Sequence, residues 1–342
     1  MGSPKGLHCQ FRAQDLIETE LLKEWRMLVL DEEQTRAALA WPALIDAIAA
    51  MVADGCVMPV RHHHDMEVPG ESDATLLLMP AWLPGRYMGV KMVSVFPGNA
   101  ARALPAIFGT YLLSSGQTGE MLAVIDGGEL TARRTAAASA LAARYLARED
   151  AEELLVCGTG RLSLNLIQAH ATGRPLKRIG IWGRDREKAA GIAREAQALG
   201  LAAEPVADLE AAARSADIIS CATLSGAPLI QGEWLKPGAH LDLIGGFKPD
   251  MREADDTAIR RAQVFVDTRA GAMKEAGDIT QPLKNGVLAA DDIRAELREL
   301  VNGAHPGRTD DADITLFKSV GAALEDLAGA ILAYEYVRGR QA

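Results

Sequence analysis

The sequence predicts an α/β protein in which a doubly wound parallel sheet is inserted in a discontinuous α+β domain. Two observations carry this. Between Glu152 and Asp267, short apolar runs alternate with stretches of helical periodicity, whereas the flanks mix longer strands and helices. The chain is also long enough, at 342 residues, for two domains with cores of their own. The expected division is a charged extension over 1–26, a discontinuous α+β domain over 27–145 and 316–342, and the doubly wound domain over 146–315.

In the first part, Trp41–Asp54 reads as a helix because Leu44, Ile45, Ile48 and Met51 fall on one face. Strands are expected at Ala74–Met79, Tyr87–Phe96, Gly109–Leu113 and Glu120–Asp126, ending in the turn Asp126-Gly127-Gly128. Thr131 is the expected N-cap of a helix to Leu146. In the second part, Leu154–Cys157, Arg178–Trp182, Asp217–Cys221, His240–Ile244 and Val264–Asp267 are short strands, with helices over Leu162–Ala171 and Glu187–Leu199 between them. Short apolar strands joined by helical crossovers make a parallel sheet covered on both faces. The tail Thr315–Arg338 reads as one helix with a stripe of Leu316, Val320, Leu324, Leu327 and Ile331, expected to pack back on the first domain.

Composition removes several functions. Apolar content of 49% and charged content of 24% are those of a globular protein, not a disordered one. A net charge of −10 argues against nucleic acid and anionic membranes, which need a clustered basic face. No apolar run is long enough for a transmembrane helix, and no secretory signal is legible. Cys9, Cys56, Cys157 and Cys221 form no CxxC pair, so free thiols in a reducing, cytoplasmic setting are expected. His62-His63-His64 point to alternate faces if extended, and no ligand set completes them, so no metal is expected.

Gly158-Thr159-Gly160-Arg161-Leu162-Ser163 follows an apolar strand and opens a helix. Alone this is a glycine-rich turn; in that context it is a Rossmann dinucleotide turn, with Ser163 as the small third residue. The first glycine permits the turn, the second lets a pyrophosphate approach, and the helix N-terminus favours the anion. The next strand ends Trp182-Gly183-Arg184-Asp185-Arg186, with Lys188 nearby. Arginines there suit a 2′-phosphate and favour NADPH, while Asp185 leaves NADH open. The same charges would also suit an ordinary solvated loop.

Several separated motifs resemble the ornithine cyclodeaminase/mu-crystallin family. They are Gly89-Val90-Lys91-Met92-Val93-Ser94 with Pro97-Gly98-Asn99, Leu130-Thr131-Ala132-Arg133-Arg134-Thr135, the Gly158-Thr159-Gly160 turn, and Thr315-Leu316-Phe317-Lys318-Ser319-Val320-Gly321 with Glu325-Asp326. The likeness runs in order from about Met27 to the C-terminus. It implies a homodimer, an imino- or amino-acid substrate held by Arg61, Lys91 and Arg134, and Thr223, Gly245 and Ser319 as further cofactor contacts. Fixed cations are what a substrate carboxylate requires in a partly dry cleft. Arg134, read as lying in the first turn of its helix, opposes the dipole there and so calls for a specific reason.

Two departures from the family's cyclodeaminases bear on substrate. Their aspartate after the glycine pair is Phe247 here, and their glutamate two residues before Met-Pro is Leu77. A distal ammonium would lose its partners, and an unpaired buried charge is costly. A cyclic imine has no such ammonium. The resemblance therefore implies reduction of 1-pyrroline-2-carboxylate or its six-membered homologue to proline or pipecolate, with Lys91 nearest the reacting centre. An ammonia-releasing cyclodeaminase, a mu-crystallin-like binding protein and an oxidative amino-acid dehydrogenase remain as alternatives.

Overall fold

The structure, a computed structural model, describes residues 27–340, so the expected extension and Cys9 lie outside the described residues. The chain opens with β1 (Leu28–Leu30), α1 (Glu32–Ala38) and α2 (Trp41–Asp54). Then come β2 (His62–Met66), β3 (Ala74–Leu83), β4 (Tyr87–Val95), β5 (Ile107–Ser115), β6 (Met121–Asp126) and the long α3 (Gly127–Leu146). These strands form a six-stranded sheet in the order β1-β6-β5-β4-β3-β2, antiparallel except for β1 on β6.

A second sheet follows: β7 (Glu153–Cys157), α4 (Arg161–Gly173), β8 (Arg178–Trp182), α5 (Arg186–Ala198), β9 (Ala203–Pro205), α6 (Leu209–Ser215), β10 (Ile218–Cys221) and β11 (His240–Leu243). It is completed by α7 (Asp256–Arg261), β12 (Gln263–Val266), α8 (Arg269–Glu275), α9 (Gly277–Lys284), β13 (Ile293–Glu296), α10 (Leu297–Val301) and β14 (Thr315–Lys318). All eight strands are parallel, in the order β13-β12-β14-β11-β10-β7-β8-β9. The last helix, α11 (Ala323–Gly339), returns to pack on α2 and α3 beside the first sheet.

Alternation along the central strands shows why this sheet is covered on both sides. Leu154 and Val156 join the core shared with the first sheet and α3, while Leu155 and Cys157 join a second core on the opposite face. Phe317 and Leu316 divide between the same two cores. Neither face is left for water, which is the condition for an all-parallel sheet.

Three local expectations are corrected. Thr315–Lys318 is not the start of the tail helix but a strand between β11 and β12. A short apolar run carries no period that separates a buried strand from a helix. Gly321, at φ +79°, then breaks the chain before α11. The stripe also differs: α11 buries Leu327 with Ala328, Ala330 and Ala333, while Leu324 and Ile331 are half-buried. Finally, α3 begins at Gly127 and not at Thr131; its N-cap is Asp126, whose carboxylate accepts from the Glu129 amide at 2.6 Å.

Candidate functional site

The carboxyl ends of the eight parallel strands open on a crevice of about 630 Å³ lined by Gly158, Thr159, Trp182, Arg184, Asp185 and Thr223, among others. Ligands of doubly wound sheets bind outside these strand ends. Gly158 has φ +132°, and a Cβ there would lie 2.7 Å from the Ala222 carbonyl oxygen, so only glycine fits. Gly160 caps α4 without any side-chain hydrogen bond, and the space around its Cα is open. The Arg161 and Leu162 N–H groups that open α4 are thus free for an anion, while that of Ser163 donates to the Gly160 carbonyl, and the cradle suits a dinucleotide pyrophosphate. Ser163 is fully buried and donates to the Gly158 carbonyl at 3.0 Å, closing helix on strand, while Leu162 packs half-buried against the shared core.

At the far end of the crevice Arg184 and Lys188 are exposed, and Arg186, also exposed, lies outside its lining. Asp185 is committed elsewhere: its carboxylate caps α5, accepting from the amides of Glu187 and Lys188 at 3.0 and 3.1 Å. Arg161, expected at the phosphates, reaches across to the first layer, 3.4 Å from Glu129 and 3.9 Å from Asp126.

Thr223 and Gly245, expected at the cofactor, are held together by a residue that sequence reasoning missed. The buried Glu253 carboxylate accepts from the Thr223 amide and hydroxyl at 2.7 and 2.8 Å, and from the Gly245 amide at 2.9 Å. It thereby ties the loops after β10 and β11. Asp267, at the end of β12, does the same for the loop after β14. One of its oxygens accepts from the Ser319 hydroxyl at 3.0 Å and from the Val320 and Gly321 amides at 2.7 and 2.8 Å.

That loop joins the crevice to the second half of the site. The Gly321 carbonyl accepts from Arg61 at 3.0 Å, and Arg61 also lies 3.4 Å from Glu275. The Arg134 guanidinium packs directly on Gly321, so a Cβ there would collide with it. Arg134 donates through Nε to Asp326 at 2.9 Å and through Nη1 to Glu325 at 2.6 Å. Lys91 Nζ, 2.8 Å from Asp326, shares that carboxylate and lies 3.4 Å from the Thr131 hydroxyl. Arg61, Lys91 and Arg134 therefore converge at one place beside the cofactor loops.

Arg134 stands on the eighth residue of α3, not in its first turn, so the dipole argument for it lapses. Its reason is the buried acid pair. Each of the three cations has a carboxylate partner, and Asp326 and Glu325, whose roles are not legible in the sequence, serve two of them. Burial opposes the charge of Arg134, yet Asp326 and Glu325 more than offset this and hold it above the ordinary arginine range. Lys91 is pulled down to about 8, chiefly by burial and further by Arg134, against the attraction of Asp326. Glu325 is pushed up to about 7 by burial, although Arg134 opposes the shift.

Leu77 lies on the Lys91 face of the first sheet, since Met79 pairs with Lys91 and Leu77 is two residues along the same strand. Phe247 is 38% exposed in the loop after β11. His62–His64 form the exposed edge strand β2. Cys157 and Cys221 are buried free thiols and Cys56 is half-buried. Among the described residues no single helix is long and apolar enough to cross a membrane.

Fold and site define a Rossmann-type dinucleotide-binding protein whose crevice meets a buried cluster of cations and carboxylates. The chain belongs to the ornithine cyclodeaminase/mu-crystallin family, whose model matches residues 29–341. A Delta(1)-pyrroline-2-carboxylate reductase of Paracoccus denitrificans is 35% identical over 84% of this chain and 90% of its own length. Among solved structures, the Thermococcus litoralis Delta(1)-pyrroline-2-carboxylate reductase in complex with NADH and L-proline superposes with TM-score 0.86, at 31% identity over 92% of this chain and 98% of that one. An archaeal alanine dehydrogenase dimer with bound NAD gives TM-score 0.84, at 28% identity over 92% of this chain and 97% of that one.

Proposed function

We propose that this protein is an NADPH-dependent reductase of cyclic ketimine carboxylates, converting 1-pyrroline-2-carboxylate or its six-membered homologue to proline or pipecolate. The observation that carries this reading is the convergence of Arg61, Lys91 and Arg134 beside the dinucleotide crevice. Arg134 offers a planar fork for a carboxylate, and Arg61 and Lys91 add charge on either side. Leu77 and Phe247 leave the ring an apolar surround and offer a distal ammonium no partner, which disfavours ornithine as substrate. Resemblance to reductases of this substrate class supports the same choice.

The nicotinamide, when bound, supplies a hydride to the C2 carbon of the imine. The chain's own residues orient the substrate and stabilise its charge. Gly158, Gly160 and the free Arg161 and Leu162 N–H groups of α4 would hold the pyrophosphate, and Glu253 and Asp267 keep the flanking loops in place. Lys91 Nζ would neutralise the substrate carboxylate, and with its pKa near 8 it still carries a proton at neutral pH that it could pass to the imine nitrogen. Preference for NADPH rests on Arg184 at the crevice and on Asp185 being occupied as a helix cap.

We also propose a homodimer. The outer face of the six-stranded sheet is apolar and uncovered by the described residues, carrying Val29, Met88, Met92 and Phe108, exposed by 41 to 65%. Free thiols fit a reducing compartment, the cytoplasm.

The test is NADPH oxidation with 1-pyrroline-2-carboxylate beside an ornithine assay for ammonia, repeated with Arg134→Ala. Rapid oxidation without ornithine turnover is expected. The variant should lose at least roughly a hundredfold in kcat/KM, in line with about 3 kcal/mol for a buried charge-assisted pair, while still binding NADPH. Full activity in the variant would sink the carboxylate clamp. Ammonia and proline from ornithine would mean a cyclodeaminase instead.

A further inference from the structure

Each cation at the substrate end of the crevice already has a counter-ion. Arg61 stands against Glu275, Lys91 against Asp326, and Arg134 against Asp326 and Glu325, while Asp267 also faces Glu325. An entering carboxylate adds a further negative charge to a place where Lys91, Arg134, Asp326 and Glu325 are each at least nine-tenths buried. An uncompensated charge there is costly, and one proton restores the balance.

The carboxylates differ in how firmly they are held as anions. Asp326 accepts from both Lys91 and Arg134 at 2.9 Å. Asp267 accepts from three backbone amides and a hydroxyl. The Glu275 side chain is 23% exposed and so open to solvent. Glu325, only 1% exposed, accepts a single hydrogen bond among the described residues, from Arg134 Nη1. It is faced by Arg134 from α3, Lys91 from β4, Asp267 from the end of β12, and Asp326 beside it on α11.

We propose that Glu325 takes up a proton from solvent when the carboxylated substrate binds, releasing Arg134 Nη1 to pair with the substrate. One O–H bond forms, the carboxylate becomes a carboxylic acid, and no other covalent bond changes. Burial and the neighbouring Asp267 and Asp326 already push Glu325 up to about 7, against Arg134, so the proton is close to hand. Loss of Arg134 and arrival of another anion push it higher. Glu325 is thus a specificity-determining residue, repelling anions while charged and admitting them when neutral. Above about pH 7 the anion's affinity falls, by up to about tenfold per pH unit, because the proton must be supplied.

This deepens the proposed imine-carboxylate reading and rests on it, but can be tested without turnover. The NADP+-loaded protein is titrated calorimetrically with pyrrole-2-carboxylate, an unreactive planar ring acid, in buffers of differing ionisation enthalpy. Near pH 8 the wild type should take up close to one proton per ligand, falling towards none near pH 6, where Glu325 is already neutral. Infrared difference spectra should show a new carboxylic-acid carbonyl band. Glu325→Gln should bind the ligand with no band, and with uptake cut to the fraction of a proton that Lys91, at about 8, still takes up near pH 8.

Zero uptake by the wild type at pH 8, or equal uptake in the variant, overturns the proposal, and so does failure of the wild type to bind the ligand. If the variant does not fold, the rise of wild-type uptake between about pH 6 and 8 and the infrared band decide the matter. Uptake in a protein that reduces no cyclic imine would leave Glu325 in its role and reject the proposed substrate.

Discussion

Asp326 accepts from Lys91 and from Arg134, residues 235 and 192 positions away in the chain. That separation explains which parts of the site were legible. Arg61, Lys91 and Arg134 stood out by resemblance and by the chemistry of binding a carboxylate. Their acidic partners carried no local signal, because a Glu-Asp pair on a helix reads as a solvated face until α11 is known to be buried on that side. Glu253 is similar: nothing in Arg252-Glu253-Ala254 announces that its carboxylate ties two cofactor loops. At the other end of the crevice, Arg184 lends itself to a direct experiment. Arg184→Ala should raise the KM for NADPH roughly ten- to a hundredfold, the worth of about 1.5–3 kcal/mol for an arginine–phosphate pair, and leave the KM for NADH unchanged. Equal changes with both nucleotides, or none, would remove the case for NADPH selectivity.

Among the elements, those with strong periodicity were legible from the sequence, as in α2 and the five central strands β7, β8, β10, β11 and β12. Their apolar runs or faces reflect burial directly. β14 was not, since four apolar and polar residues followed by a loop fit a helical stripe as well as a strand. The start of α3 was missed because Asp126-Gly127-Gly128 has the composition of a turn, yet Asp126 caps a helix there. The turn between β7 and α4 is the element on which the proposed nucleotide binding depends, and Gly158 is its constraint. Gly158→Ala would force a Cβ against the Ala222 carbonyl at φ +132°, a strain on the order of 1–3 kcal/mol. The expected result is a lower melting temperature and loss of NADPH binding in a fluorescence titration. Wild-type affinity in a folded variant would refute this assignment of the turn.

For the molecule as a whole, the six-stranded sheet has one face packed under α1, α3 and α11 and the other left apolar. Burying that second face between two copies would remove it from water. Met92→Lys, near its centre, should convert a dimer to a monomer in analytical ultracentrifugation with the circular-dichroism spectrum unchanged. A wild-type monomer at micromolar concentration would end the dimer proposal. The position of β14 has a consequence for how the molecule is made. β11 and β12 do not pair with each other; they are joined only through β14, which is synthesised after both and after β13. Until those four residues leave the ribosome the sheet exists as two unjoined pieces, with apolar strand edges exposed to misassembly and to chaperones. Glu325 and Asp326 follow a few residues later, so a nascent chain acquires its folded sheet and the counter-ions of its substrate pocket almost in the same moment. A polypeptide cut short before that point is left with neither.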